Sequence, residues 1–342
     1  MQTSTRQRIA VLAEGEEAVQ WLAAAKQFAD VRSLPKELPG AIDAVVVGPG
    51  AFDPFARTKE ALLAGLHVLY AAPFLLSPWQ ANVLANLSRR QGRLLRFIEP
   101  FRYLPGFPFL SRLLRGDEPF WEPLYLRLLR LGQPSSSLDR LAIEELAVCE
   151  ALLEGTPRQM TAAASRRDQA GEICAVVLVL QYPDGPLVQS TVSLAEAREA
   201  RQLVAVTPSR TLILDDRDPT APLRILAEDG EREVAVEEVA ANIPEFEGES
   251  HSARTIPDVA TEETRQFLQA TASGCLDSIA NSERWVRVAS LWWAARQSMS
   301  FDGPADVPIP RETGPPLLRV IEGGGKKVQT AARRPALTVV AR

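Results

Sequence analysis

The sequence predicts an α/β plus α+β protein. A shortened, Rossmann-like parallel sheet opens the chain, and a mostly antiparallel, open-faced sheet domain follows with helices on one face. Three observations carry this expectation. Short apolar runs alternate with helical patterns over about the first 100 residues, the grammar of βαβ units and a parallel sheet. A capped amphipathic helix, "SSSLDRLAIEELAVCEALLEG", then marks a change of style. Beyond it, β-like runs follow one another with turn signals such as "PDG" and "EDG" between them, as in an antiparallel sheet.

The elements read in order as follows. "RIAVLA" (Arg8–Ala13) is a strand, and "EEAVQWLAAAKQFA" is a helix leading to a second strand near Asp30. "AIDAVVVGPG" is an apolar strand ending in turn residues. "PFARTKEALLAGL" is a helix closing at Gly65, and "HVLYAAP" is the next strand. "SPWQANVLANLSRRQGR" has Ser77 as N-cap, Pro78 at the first helical position and Gly92 just beyond its end. "LLRFIEP" is a further strand. A stretch rich in proline and aromatics follows, with one short helix at Phe109–Arg115, and density of that kind belongs at a buried domain seam. The later runs are "ICAVVLVLQY", "PLVQSTVSL", "QLVAVTP", "RTLILDD", "PLRILAE" and "REVAVEE". The helices "ATEETRQFLQATASG" and "NSERWVRVASLWWAARQSM" close the folded part. The expected domains are therefore 1–122, 123–310 and a tail at 311–342.

Composition narrows the function. The chain has 342 residues, 46% hydrophobic and 24% charged, with net charge −5. A balance of that sign gives no electrostatic footprint for nucleic acid or anionic membrane. The longest apolar runs fall far short of a membrane span, and the first 17 residues lack a signal-peptide core, so a cytoplasmic location is expected. Cys149, Cys174 and Cys275 lack C-x-x-C spacing and read as small buried hydrophobes. His67 and His251 are too few and too scattered for a histidine-rich metal site. The basic tail "GGGKKVQTAARR" lacks phosphate-loop spacing and reads as surface.

Four segments, taken together, resemble the Gfo/Idh/MocA family of NAD(P)-dependent oxidoreductases over about residues 6 to 301. They are "DAVVVGPGAFDPFARTKEALLAGLHVL", "FRYLPGFPFLSRLLRGDE", "LLEGTPRQMTAA" and "ARQSM". The resemblance implies a nucleotide-binding half with Gly15, Gly48 and Pro49 at cofactor-side positions, and a substrate side near Arg102 and Tyr103. It also exposes departures. Where the family strand ends in Glu-Lys-Pro, this chain has Ala71-Ala72-Pro73, and a methyl group neither gives nor takes a proton. Where the family has G-x-G-x-x-G, this chain reads Ala13-Glu14-Gly15-Glu16-Glu17-Ala18. Like charges about 4 Å apart repel by about 4 kcal/mol at an effective dielectric near 20, roughly three powers of ten in affinity.

Two further departures follow. The family's histidine and second aspartate on the helix entering the second domain correspond to Ile143 and Leu146, although Asp139 is kept. Glu144 and Glu145 point about 100° apart and read as a solvated helix face. Only "LPKELPG" separates the second strand from "AIDAVVVGPG", too short for a crossover of a dozen residues. Arg32 or Lys36 there would be the groups to meet a 2′-phosphate.

The resulting expectation is a pseudoenzyme of this oxidoreductase family. It takes no cofactor and acts as a binding or oligomeric subunit through the second-domain sheet, with a small polar ligand as a further possibility. The alternative is an active NAD(P)-dependent enzyme with a rebuilt site, whose candidate groups are Tyr70, Arg102, Tyr103 and Asp139, with His67 and Glu99 beside them.

Overall fold

The computed structural model describes residues 7–31, 42–115, 122–234 and 259–307, apart from 73, 105, 154, 166–171, 184, 197, 219–221, 229, 275–277 and 302. Pro73, Arg32, Lys36, "LPKELPG", His251, Cys275 and the tail at 311–342 lie outside the described residues.

The first sheet is parallel, with strand order β2-β1-β3-β4-β5. Its strands are β1 (Arg8–Leu12), β2 (Asp30–Val31), β3 (Ala44–Val47), β4 (His67–Tyr70) and β5 (Leu95–Phe97). Every residue of β3 is buried, so its unbroken "AVVV" run reports a strand covered on both faces. The covering helices are α1 (Glu16–Phe28), α2 (Pro54–Leu63) and α3 (Pro78–Gln91). Their starts follow from local chemistry. Asp53 caps α2 by accepting the Ala56 N–H at 3.0 Å, and Pro54 needs no donor at the first position. Ser77 and Gln80 form a reciprocal capping box on α3, and Gly92 ends it in the left-handed region at φ 58°.

After the short helix α4 (Phe107–Leu114) comes a nine-stranded sheet, order β13-β12-β11-β10-β6-β9-β8-β7-β14. Its strands are β6 (Tyr125–Leu131), β7 (Gln159–Ala164), β8 (Ala175–Gln181), β9 (Leu187–Ser193), β10 (Ala200–Val206), β11 (Arg210–Asp215), β12 (Leu223–Ala227), β13 (Gly230–Val234) and β14 (Ala305–Asp306). Pairing is antiparallel except between β6 and β9. The helices α5 (Leu138–Leu152), α6 (Val259–Ser273) and α7 (Ser278–Phe301) complete the fold. One apolar core joins residues of both sheets: Val45, Tyr70 and Phe97 belong to the same cluster as Leu128, Val188 and Trp285. No described helix is long and apolar enough to cross a membrane.

Edge strand β5 is held by the helices that follow the second sheet. Asn281 accepts the Phe97 N–H at 2.8 Å and donates to the Phe97 carbonyl at 3.2 Å, occupying an edge that would otherwise be open. Glu263 accepts the Glu99 N–H at 2.9 Å and the Arg96 Nε–H at 2.9 Å. Arg284 donates to Glu99 at 2.5 Å, and Arg102 pairs with the same carboxylate. Burial pushes the Glu263 carboxyl up, while Arg96 pulls it down.

One sequence expectation is corrected here. Glu144 and Glu145 are not a solvated pair: Glu145 is 1% exposed and accepts the Arg201 Nε–H at 2.7 Å. The arginine comes from β10, a partner that helix geometry alone does not reveal. Cys149 is buried as expected, whereas Cys174 is partly exposed.

Arg284→Ala would leave Glu99, 2% exposed, dependent on the exposed Arg102 alone. The expected loss is about 3 kcal/mol of unfolding free energy in urea, and a loss below ~0.5 kcal/mol would show that the clamp is not structural.

Candidate functional site

The carboxyl ends of β3, β4 and β5 meet α1, α5, α6 and α7 around a cleft of ≈ 400 Å³. Ligands in open parallel sheets bind beyond these strand ends. β4 ends at Tyr70, and the next two N–H groups, of Ala71 and Ala72, both donate to the Val47 carbonyl at 2.7 and 2.9 Å. This double bond to one acceptor turns the chain tightly. Ala71 and Ala72 are 3% and 4% exposed and line the cleft.

The first turn of the sheet packs against the loop after β3. Gly15 caps α1 at φ 83°, where an L side chain is strained, and nothing lies near the place its Cβ would take. No side chain caps the helix. The Glu14 N–H donates to the Pro49 carbonyl at 2.9 Å, and the Gly48 N–H donates to the Leu12 carbonyl at 2.7 Å. A Cβ on Gly48 would lie 2.7 Å from the Ala13 methyl, and one on Gly50 would lie 2.5 Å from the Glu14 carbonyl oxygen. Gly48 and Gly50 therefore let the loop after β3 lie on the turn after β1. The Glu14 N–H is thus engaged by the loop after β3, and its side chain is exposed.

The cleft itself is mostly aromatic and apolar. Tyr70, Phe74, Phe97 and Trp285 form one wall, with ring centroids 5.1 Å apart for Tyr70–Phe97 and 4.5 Å for Phe74–Trp285. Trp21 comes from α1, and Ile98 and Ile143 add aliphatic surface. The polar lining residues are Gln20, Arg140 and Glu144, besides the Tyr70 hydroxyl. Arg140 donates from Nε to Glu144 at 3.1 Å, and Glu144 lies 3.8 Å from Arg201. Burial, reinforced by Asp53, pushes the Tyr70 phenol well up. Ile143, 2% exposed, lines the cleft where the resemblance would put a histidine, and Leu146 is core. No cluster of His, Cys, Asp or Glu that could hold a metal occurs among the described residues.

Of the residues singled out in the sequence, the cleft collects the site candidates Tyr70 and Pro49, together with Ala71, Ala72, Ile143 and Glu144. Arg102 is exposed on the turn Pro100–Tyr103 and is committed to Glu99. Tyr103 is buried away from the cleft lining, its phenol pushed up by burial and by Glu263. Asp139 pairs with Arg296 at 3.6 Å. His67 starts β4, at the opposite end from Tyr70, where Nδ1 accepts the Leu94 N–H at 2.9 Å; burial and Arg93 lower its pKa. Sequence reasoning missed Trp21, Arg140 and Trp285, which join the cleft from three separate helices. The only available signal was the position of Arg140 beside Asp139 in the resemblance segment.

No protein-family model and no curated protein matches the sequence. Solved structures do. A UDP-N-acetylglucosamine 3-dehydrogenase, GnnA, from Acidithiobacillus ferrooxidans is 18% identical, with TM-score 0.71 over 86% of this chain and 98% of that one. An inositol dehydrogenase homolog from Azotobacter vinelandii, complexed with NADH and myo-inositol, is 14% identical, with TM-score 0.72 over 89% and 98%. An oxidoreductase from Agrobacterium radiobacter, in complex with NAD+, L-tartaric acid and magnesium, is 14% identical, with TM-score 0.69 over 89% and 99%. At these identities the likeness shows the fold, which is the two-domain α/β fold of Gfo/Idh/MocA-type oxidoreductases.

The Ala13–Gly48 contact generates a paired test. Gly48→Ala is expected to destabilise the protein by about 1–3 kcal/mol through overpacking, and Ala13→Gly added to it should restore most of that loss in urea unfolding. Independent, additive effects would show that the two residues do not share the space.

Proposed function

We propose that this chain is a non-catalytic member of the dehydrogenase-fold class, a binding subunit rather than a hydride-transfer enzyme. The observation that carries the reading is the cleft lining at the strand ends. Ala71, Ala72 and Ile143 stand where proton-handling groups are expected by resemblance. Of the other groups there, the Tyr70 phenol is raised by burial, and Arg140 and Glu144 are paired with each other. The occupied Glu14 donor and the acidic first turn support the same reading for the cofactor side.

A partner face is part of the proposal. Outward side chains of the nine-stranded sheet include Leu129, Val177, Val179, Val206, Ile213 and Leu226, all half-buried on the face opposite the core. That surface suits a second copy or a related subunit.

A second reading, an active NAD(P)-dependent oxidoreductase, is favoured by one feature: Gly15 keeps its positive φ and open surroundings. Thermal unfolding separates the two. A ligand at about 100 times its Kd would add about 2.7 kcal/mol to the native state, so NADH or NADPH at millimolar concentration should leave the melting temperature unchanged. A clear rise with either would overturn the proposal. For the partner face, Val179→Glu with Ile213→Glu should convert an oligomer to a monomer in sedimentation velocity; a wild-type chain already monomeric at micromolar concentration would remove that part.

A further inference from the structure

The cleft shows what kind of molecule its lining can recognise. A polyol presents a hydroxyl on each ring carbon, and every buried hydroxyl left unpaired costs about 1–3 kcal/mol. Among the described residues the cleft has few partners for them: its polar side chains are Gln20, Arg140 and Glu144 besides the Tyr70 hydroxyl, fewer than a hydroxyl on every ring carbon needs. What it offers instead is an apolar, largely aromatic lining. Trp21, Tyr70, Phe74, Phe97 and Trp285 line one space, and aromatic pairs of this kind prefer the tilted and edge-on contacts seen between Tyr70, Phe74 and Phe97. Ala71 and Ala72 supply the room that longer side chains would take.

One charge is available at the cleft. The Arg140 side chain is 47% exposed and uses Nε for Glu144, and its terminal nitrogens have no protein partner among the described residues. A guanidinium whose terminal donors face a carboxylate is the strong form of a charged hydrogen bond. We infer that the cleft binds a planar, fused-ring aromatic acid, its body among the aromatic rings and its carboxylate on Arg140. The inference rests on the binding-subunit reading above and names the ligand class for that same site.

Isothermal titration calorimetry of the full chain tests it with 2-naphthoate, 2-naphthamide and myo-inositol as probes. One saturable site for 2-naphthoate is expected, with 2-naphthamide at least ~10-fold weaker and no heat from myo-inositol. Ala72→Leu should abolish binding by filling the cleft, and Ile143→Phe should do the same from α5. Each variant's melting temperature reports that it is folded. Arg140→Ala should weaken 2-naphthoate by ~10-fold and erase its advantage over the amide. Absence of a 2-naphthoate site, binding of myo-inositol, binding that survives both filling variants, or an acid preference that survives Arg140→Ala would each overturn the inference. The outcome is separable from the cofactor test. A melting shift with NADH alongside intact naphthoate binding defeats only the non-catalytic reading, and no shift with no naphthoate binding defeats only this one.

Discussion

Two buried carboxylates, Glu99 and Glu263, hold the geometry on which the cleft depends. A buried carboxylate without partners is unstable, and here each has arginine donors: Arg284 and Arg102 for Glu99, Arg96 for Glu263. The pairs tie β5 to α6 and α7 across more than 160 residues of sequence. Phe97 and Trp285, brought together by that attachment, form part of the cleft wall with centroids 5.8 Å apart. The electrostatics thus sit behind the cleft and position its apolar surface, while chemistry-bearing groups are scarce in front.

Much of the fold was legible because its signals are local. The capping box of Ser77 and Gln80, the proline at 78 and the glycine at 92 bound a helix by themselves. The uninterrupted valines of β3 announce a buried strand, but the equally apolar run of β8 alternates only in its burial, a difference its sequence does not carry. The site was less legible because its contacts are distant in sequence. Glu145 looked solvated until Arg201 arrived from β10, and Trp285 belongs to a helix whose face cannot be related to Tyr70 by any period. Arg102 and Tyr103 had the right strand end but were drawn into the Glu99–Glu263 cluster instead.

The comparison with solved dehydrogenases is informative through its contrast. The fold is retained over most of the chain at 14–18% identity, which shows how little a specific side chain matters to the architecture. Strand burial, turn glycines and helix caps are what the fold requires. A lysine after β4 or a histidine on α5 is not among them, and Ala72 and Ile143 stand there in an intact fold.

The Ala13–Gly48 contact has a consequence for the chain's history. The space between the two backbones holds a single methyl, and it sits on Ala13. A methyl at 13 requires bare backbone opposite it at 48. Any later gain of a side chain at 48 is now blocked until 13 gives way first.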